Sequence, residues 1–520
     1  MRRRLIPLAL PLALAGLVLA GCAVTAQPTG TTTQAAESSV VETVSSVDAS
    51  IPTAAAELLE ANADGTVVKD DEWSAADAET ITLAGSTASS DSTGVTVEGS
   101  TVTITAAGVY RLSGDLDGQV VMSAPDDAQV VLVLDGATIV NTSGTAIQVV
   151  TADDVAINLA AGSTNTVTAA SSADADASAA IYADTDLTIS GSGSLTVTDT
   201  GNDGISATDD LAIIGGTISV DAADDALRGK DSLVVKDGTL TLTAGGDALK
   251  SDQTDDATKG YVWIAGGTID ATATDDGIDA QTDAIVTGGT VSLSTEDDGI
   301  HSEVALAITG GEVTIGQSYE GLESADIRIA GGTTRVTSSD DGVNASGNTA
   351  STGGGMGGGM QDSGETVTIS GGTLVVDADG DGLDSNGTIA MTGGDVTVYG
   401  PTAQNNGALD SNGGIDVSGG TLVAIGSSGM AESPDKSSAQ GWLAATVSGS
   451  AGSTVQVQDA TGTVIASYTA AKTFGSVVFT SSAITDGQSY TVTVDGTATS
   501  VTAGVAATGG MGMGGGGGRR

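Results

Sequence analysis

The sequence predicts an all-β fold: a parallel β-helix of about 22 residues per coil, with a small C-terminal antiparallel β capping unit. A recurring glycine doublet and short stretches of alternating apolar and polar residues between the doublets predict it. Because such short strands cannot bury a face alone, we expect successive coils to stack. Nine units set the period, with three insertions; eight have the doublet and one has Asp237 in place of its first glycine. The second glycines are Gly216, Gly238, Gly267, Gly289, Gly311, Gly332, Gly372, Gly394 and Gly420.

The composition favours strands of small residues over a conventional globular core. Of 520 residues, 76 are glycine and only 2% are aromatic, whereas 39% are hydrophobic, which is too many for a disordered acidic chain. The 66 acidic and 16 basic side chains give a net charge of −50. This charge argues against a nucleic-acid partner, because a phosphate backbone needs cations.

The segment 1–22 has the pattern of an export signal. A basic start and an apolar run at positions 5–19 precede Leu19-Ala20-Gly21-Cys22, which resembles a lipobox. We expect Cys22 to carry acyl chains that anchor an exported protein to the extracellular face of a bacterial membrane. The alternative is an ordinary signal peptide whose cleavage removes Cys22. Because the chain has one cysteine, the lipidated protein has no disulfide or thiolate site.

The patterns divide the chain into five segments. They are a signal peptide with lipobox at 1–22, a disordered spacer at 23–84, the β-helix at 85–430, a β unit at 431–504 and a Gly/Met-rich tail at 505–520. Within the spacer, residues 54–61 can form a short helix. We expect the β unit to cap the last coil, which otherwise exposes strand edges, although a binding role is the alternative.

An acidic motif, Asp-Asp-Gly-Ile or a variant of it, recurs at one corner of the coils. Carboxylates stacked about 4.8 Å apart repel one another unless Ca²⁺ binds between them, and this ion takes several oxygen ligands at about 2.4 Å. The alternative is that these residues only form turns and add solubilising charge. The candidate ligands are Asp225, Asp247, Asp276, Asp298, Glu320, Asp341 and Asp381, with a second column of Asp279, His301, Glu323, Asn344, Asp384 and Asp410.

The sequences DDALRGKDSLVVKDGT at 224–239 and GDALKSD at 246–252 resemble the bacterial carbohydrate-binding domain-containing lipoprotein family. The resemblance covers about residues 83–504, and the Gly/Met-rich insertion at 353–360 and the tail are also similar. It implies a right-handed parallel β-helix of pectate-lyase-like shape that binds calcium. It also implies binding of plant polysaccharides such as cellulose or polygalacturonate, without established catalysis. His301 and Asn344 depart from an all-carboxylate column.

The outward face of the coils offers a candidate sugar platform. Alignment on the doublets turns Tyr261 and Trp263 outward, in an apolar column that ends at Arg328. Sugar C–H faces stack on aromatic rings, and an arginine matches a uronate carboxylate. The alternative is that the insertion at 252–259 folds over this column and buries it.

The enzymatic alternative is a calcium-dependent polysaccharide lyase on the same fold. Arg228 and Lys250 are one period apart and therefore stack, and either would abstract the proton that Ca²⁺ acidifies. Both can equally be salt-bridge partners of the acidic column. A structural surface adhesin is a third possibility. We expect a monomer that binds an extracellular polysaccharide without turnover.

Overall fold

The all-β prediction is confirmed by a computed structural model, which describes residues 51–347 and 362–507. These residues contain one α-helix, α1 (Thr53–Ala61), one 3-10 helix (Ala75–Asp77) and 42 strands. The predicted lipobox with Cys22, the insertion at 353–360 and the tail from residue 508 lie outside the described residues. No helix in the described part is long and apolar enough to cross a membrane.

Fourteen strands precede the first glycine doublet. They are β1 (Glu79–Gly85), β2 (Ala88–Ser90), β3 (Val95–Glu98), β4 (Thr101–Ile104), β5 (Gly108–Asp117), β6 (Gln119–Ser123), β7 (Val130–Asn141), β8 (Ile147–Thr151), β9 (Asp154–Leu159), β10 (Thr164–Ala169), β11 (Ala179–Ala183), β12 (Asp186–Gly191), β13 (Ser194–Asp199) and β14 (Asp203–Ala207).

The doublet repeats supply the next twenty-two strands. They are β15 (Asp210–Ala222), β16 (Leu227–Gly229), β17 (Ser232–Ala244), β18 (Leu249–Ser251), β19 (Tyr261–Ile264), β20 (Thr268–Ala273), β21 (Ile278–Ala280), β22 (Asp283–Val286), β23 (Thr290–Thr295), β24 (Ile300–Ile308), β25 (Glu312–Gln317), β26 (Leu322–Ile329), β27 (Thr333–Ser338), β28 (Val343–Ala345), β29 (Thr366–Ile369), β30 (Thr373–Ala378), β31 (Leu383–Ser385), β32 (Thr388–Met391), β33 (Asp395–Tyr399), β34 (Leu409–Ser411), β35 (Gly414–Val417) and β36 (Thr421–Gly426).

Parallel pairing places each repeat on the one before it in three ladders. In the doublet ladder, the strands that begin just after a glycine doublet pair in register, so that Leu240 lies opposite Ile218 and Ile269. The corner ladder joins the short strands that follow the acidic motif, such as β18 and β21. The closing ladder joins the strands that lead into the next doublet, such as β19 and β22. The period predicted from the doublets is therefore the separation of paired strands.

The apolar residues that come just after the doublets point inward and form the core of the doublet ladder. Each is at most 3% exposed: Ile218, Leu240, Ile269, Val291, Val313, Leu374, Val396 and Leu422. Thr334 fills one further step of this column, between Val313 and Leu374. Side chains of similar size at every step remove apolar surface from water along the whole stack, which stabilises the fold.

The second glycine of each doublet adopts a backbone conformation that other residues avoid. All nine second glycines have φ between +71° and +119°. At Gly289, where φ is +82°, a Cβ atom would lie 2.9 Å from the carbonyl carbon and oxygen of Gly266 in the repeat below. The doublet therefore provides both the corner conformation and the close approach of two repeats.

The predicted antiparallel unit begins after β36. Its strands are β37 (Trp442–Gly449), β38 (Thr454–Gln458), β39 (Val464–Thr469), β40 (Phe474–Thr480), β41 (Ser489–Val494) and β42 (Thr497–Thr502). β40 pairs antiparallel with β36, the last strand of the doublet ladder, and with β37. The other four form a separate antiparallel sheet. The edge of β36 is thus paired, as expected of a cap.

The expectation of a solvated spacer does not hold for residues 51–84. Residues 51–73, here called the strap, lie on the outward side of the ladders and include α1, which matches the helix predicted at 54–61. Leu58 of α1 packs with Ile285 and Ala307, and Val68 packs with Val131 and Ala156. An outward apolar column on so acidic a surface needs cover, and the chain's own N-terminal segment supplies it.

Backbone and side-chain hydrogen bonds fix the strap at several steps of the stack. Asn62 Nδ2 donates to Asp283 Oδ2 at 2.9 Å. The backbone N–H of Thr66 donates to Asp210 Oδ2 at 2.8 Å, and that of Val68 donates to Thr188 Oγ1 at 2.9 Å. The strap is therefore part of the folded body.

Candidate metal and carbohydrate site

The acidic corners stack as predicted, and each carboxylate also holds the next repeat in place. The backbone N–H of Asp247 donates to Asp225 Oδ1 at 2.9 Å, and that of Asp276 donates to Asp247 Oδ1 at 2.8 Å. The same contact joins Asp298 to Asp276 at 2.8 Å, Glu320 to Asp298 at 3.1 Å and Asp381 to Asp341 at 2.6 Å. In these five aspartates, Oδ1 accepts the bond between repeats, which leaves Oδ2 to face a cationic group.

The second column runs beside the first, and it mixes cations with acids. The two candidate lyase cations and the predicted acids share one register. In order along the stack these residues are Arg228, Lys250, Asp279, His301, Glu323, Asn344, Asp384 and Asp410. The charges of neighbouring repeats therefore meet directly.

Lys250 provides the positive charge for the first repeats of this surface. Its Nζ is bonded to Asp247 Oδ2 and lies 3.7 Å from a carboxylate oxygen of both Asp225 and Asp279. Burial alone would lower the pKa of Lys250, but the surrounding carboxylates raise it above its ordinary value. An ammonium group thus occupies the space between three of the residues predicted to bind calcium.

Arg228 is also engaged in an ion pair. Its Nη2 lies 2.8 Å from Asp252 Oδ2, and its Nε bonds the same carboxylate at 3.2 Å. Burial opposes the charged form, yet the bond to Asp252 outweighs it and raises the pKa of Arg228. A base that abstracts a proton must first lose its own, and these contacts hold the protons on Arg228 and Lys250. The salt-bridge alternative therefore describes their geometry better than the lyase alternative.

His301 takes the cationic role one step further along the stack. Its Nδ1 lies 3.0 Å from Asp279 Oδ1 and 3.9 Å from Asp276 Oδ2. The hydrogen bond with Asp279 is the main cause that raises the pKa of His301 to about 9, so the ring is protonated at neutral pH. Burial raises the pKa of Asp276 to about 7.

A cluster of three carboxylates comes from the repeat of His301 and the repeat after it. Carboxylate oxygens of Asp298, Glu320 and Glu323 all lie within 4.8 Å of one another. The ion pairs recorded among the described residues include none to these three side chains. Burial and a hydrogen bond shared with Glu323 raise the pKa of Asp298, and burial raises that of Glu320 to about 7. We call Asp298, Glu320 and Glu323 the triad.

Asn344 adds an unsatisfied oxygen next to the triad. It is the register partner of Glu323 and is 8% exposed. Its Nδ2 donates to Glu320 Oε2 at 2.7 Å, whereas its Oδ1 is buried and has no hydrogen-bond partner. A buried acceptor without a donor is costly, and a cation held by the triad would satisfy it.

Three more predicted ligands lie in the repeat of Asn344 and in the repeat after it. Burial raises the pKa of Asp341 to about 6, of Asp381 to about 7 and of Asp384 to about 8, and the charges of neighbouring acids, Asp410 among them, add to each shift. Glu432, which the motif alignment did not select, belongs to the same acidic region, since burial and the charge of Asp410 raise its pKa to about 7.

Asp203 is a further member of the first column that the alignment missed. It precedes Ile205 by the same spacing that separates Asp225 from Leu227, and Ile205 pairs with Leu227. Burial and the charge of Asp225 raise its pKa to about 7. Its Asp-Gly-Ile sequence lies one period before Asp225 and could have revealed it, but no glycine doublet marks that repeat.

The predicted sugar platform is covered, although its register is correct. Tyr261 is only 4% exposed, and its hydroxyl donates to the carbonyl oxygen of Ala63 in the strap at 3.0 Å. Trp263 is partly buried against α1, and its Nε1 donates to Thr287 Oγ1 at 2.9 Å. Arg328 bonds Asp326 and the carbonyl of residue 54. The strap covers this column, whereas the expected alternative was the insertion at 252–259.

A comparison with known proteins finds a family model that matches the part of the chain containing this surface. The model of the carbohydrate-binding domain-containing protein family matches residues 98–364, which include the triad. A curated protein of the same description from Acetivibrio thermocellus is 42% identical over 186 residues, or 34% of this chain. The match spans 65% of that relative's length.

A solved structure is also similar in sequence. It is described as a polysaccharide lyase-like protein from C. thermocellum, gadolinium derivative, and is 35% identical. The alignment covers 44% of this chain and 96% of that chain, with a TM-score of 0.43. Since the family model matches more than half of the sequence, the chain belongs to the carbohydrate-binding domain-containing protein family.

Proposed function

We propose that the protein is a lipid-anchored surface protein that binds an extracellular polysaccharide, of cellulose or pectin type, on a calcium-stabilised right-handed parallel β-helix. It does so without turnover. The three in-register ladders support the β-helix, and the lipobox at Cys22 supports the anchor and the extracellular location.

The triad with Asn344 is the observation that carries the calcium proposal. Four oxygen-bearing side chains from three successive repeats meet there, one with an unpaired buried oxygen. Hard divalent cations take six to eight oxygens, which side chains and waters together provide. Earlier repeats have Lys250 and His301 in the equivalent places. Calcium is therefore proposed for the repeats from Asp298 onward, with Asp341, Asp381 and Asp384 as a second ligand set.

Family membership supports a carbohydrate as the partner, and the charge of the chain restricts how an acidic polymer can bind. A protein of net charge −50 repels a polyuronate at long range. A calcium ion held by protein carboxylates can take uronate oxygens into its remaining coordination positions. Calcium would thus both stabilise the stack and bridge to the polymer.

The absence of turnover is supported by the side chains that a lyase would need. Arg228 and Lys250 keep their protons through bonds to Asp252 and Asp247. A positively charged side chain with its lone pair blocked does not act as the base of a β-elimination.

Affinity electrophoresis of the full-length protein tests this proposal. The gels contain polygalacturonate or soluble cellulose, with calcium or with chelator, and the ultraviolet absorbance of unsaturated products is followed in parallel solutions. We expect retardation in at least one polymer, loss of polygalacturonate retardation in chelator and constant absorbance. Absence of retardation in both polymers would contradict the binding role, and rising absorbance would favour the lyase.

A further inference from the structure

Tyr319 is the exposed aromatic side chain of the acidic surface. It is 47% exposed, whereas Tyr261 is buried and Trp263 is partly covered by the strap. Its backbone N–H donates to the carbonyl of Asp297 at 2.8 Å, and its own carbonyl accepts from the N–H of Asp340 at 2.9 Å. Tyr319 thus replaces an aspartate in the outer position of the acidic motif.

This replacement stands directly beside the triad. Tyr319 precedes Glu320, whose carboxylate belongs to the triad and accepts from Asn344 Nδ2 at 2.7 Å. The tyrosine therefore places an exposed aromatic ring next to a carboxylate of the triad.

A small cavity adjoins the triad at Glu323. It has a volume of about 230 Å³ and is lined by His301, Ser302, Glu303, Glu323, Ser346 and Gly347. Ligand pockets begin at roughly 300 Å³, so this cavity suits one sugar ring or its carboxylate and not an oligosaccharide. The hydroxyl of Ser302 and the imidazole of His301 give this cavity polar groups that can contact a sugar.

We infer that Tyr319 is the residue on which a sugar ring of the polysaccharide stacks, next to a cation held by the triad. The inference rests on the proposed function and names the subsite within it. Sugar C–H faces pack on aromatic rings, and the triad with the unpaired Asn344 Oδ1 is the ion site that this ring adjoins. The subsite is formed by Tyr319 and the triad, and the cavity adjoins the triad at Glu323.

Its position has a physical rationale. The carboxylates around the exposed ring repel an acidic polymer. A neighbouring bound cation is therefore needed before a sugar of that polymer can stack on the ring. The ion pairs among the described residues include none to the triad, and the tyrosine takes the place of a carboxylate that would have repelled the polymer. A ring at this point therefore serves binding better than folding, since half of its surface faces solvent.

Two variants of the full-length protein test the inference. Tyr319→Ala removes the ring, and Tyr319→Phe keeps it while removing only the hydroxyl. Calcium binding is measured by titration calorimetry, and polymer affinity by electrophoresis in polygalacturonate and in soluble cellulose. We expect Tyr319→Ala to bind calcium normally and to lose roughly tenfold in polymer affinity, whereas Tyr319→Phe stays close to the parent. Val304→Ser, another exposed apolar position at 53% exposure, is the control and is expected to change nothing.

The outcomes separate this inference from the proposed function. If the parent binds polymer and Tyr319→Ala binds it equally well, the stacking role is wrong and the proposed function stands. If Tyr319→Ala loses calcium together with polymer, the ring is structural and the inference is also wrong. If the parent protein binds no polymer, both proposals fail together.

Discussion

Lys250 and Asp279 face each other across one step of the second column, with the ammonium nitrogen 3.7 Å from a carboxylate oxygen. One more step brings His301, whose Nδ1 lies 3.0 Å from the other oxygen of Asp279. These side chains neutralise the acidic corners with charges of the chain itself. The triad spans the repeat of His301 and the next repeat. It has no ion pair among the described residues, and this difference locates the proposed ion.

Replacing the internal cation should make the first repeats depend on calcium. Lys250→Met leaves Asp225, Asp247 and Asp279 without their shared ammonium and should cost about 3 kcal/mol of unfolding free energy in chelator. Calcium should recover part of this loss, because the three carboxylates then become a site like the triad. Urea unfolding with and without calcium measures both effects.

Lys259→Met serves as the matched control for that variant. Lys259 pairs with Asp231 outside the two columns, so its removal should cost the same in calcium and in chelator. If Lys250→Met loses the same unfolding free energy in calcium and in chelator, calcium does not replace the lysine ammonium in these columns.

The stability of the calcium-free protein should fall as the pH rises. Burial raises the pKa of Asp225, Asp276 and Asp381 to about 7, and an unfolded aspartate titrates near 4. Their protons bind more tightly in the folded state, so this contribution is complete below about pH 4 and is lost as the pH rises through 7. In chelator, the melting temperature at pH 8 should therefore lie below that at pH 5.

Calcium should reverse much of that trend, because it competes with protons for the same carboxylates. The difference in melting temperature between calcium and chelator should widen from pH 5 to pH 8. A single site at a free calcium concentration one hundred times its Kd adds about 2.7 kcal/mol. A melting temperature in chelator that rises over this pH range would contradict the burial of these acids.

Loosening the strap should reduce stability without improving sugar binding. Leu58→Ala removes a side chain that packs on Ile285 and Ala307, and should cost about 2 kcal/mol. Glu60→Ala, at an exposed position of α1, is the control. Hydrogen exchange of residues 51–68 and polymer affinity provide the measurements. A gain in affinity would restore Tyr261 and Trp263 as the binding surface and make the strap an inhibitor.

Alanine substitutions at two glycines should distinguish the cost of backbone strain from the cost of a steric clash between repeats. Gly289 and Gly452 have φ of +82° and +85°, but only Gly289 would place a Cβ against another repeat. Gly452→Ala should cost about 1 kcal/mol and Gly289→Ala at least about 3 kcal/mol, because the second also forces two repeats apart. Thermal unfolding compares the two, and equal costs would show that the doublets are needed for φ alone.

The repeat and its inward positions could be predicted because both depend on local spacing. A constant period fixes which residues meet, so the columns through Asp225 and Asp279 follow from counting. The same counting places Lys250 beside the acidic column, which is why a salt bridge could be predicted as its alternative role. Asp203 was missed only because its repeat lacks the doublet used for alignment.

The strap and Tyr319 could not be predicted in this way. Tyr261 and Trp263 do lie on the outward side, but what covers them comes from a segment far earlier in the chain, around Ala63. No local pattern encodes such a contact. Tyr319 interrupts the acidic motif, so a search for repeated carboxylates passes over the position where the surface differs most from its neighbours.

Calorimetric titration of calcium into the chelator-treated full-length protein tests the central claim most directly. The double variant Glu320→Gln/Glu323→Gln is compared with the parent and with Glu312→Gln, an exposed glutamate in the doublet ladder. The account predicts that the parent and Glu312→Gln bind calcium alike and that the double variant loses at least one site. Identical isotherms for all three proteins would contradict calcium binding at the triad.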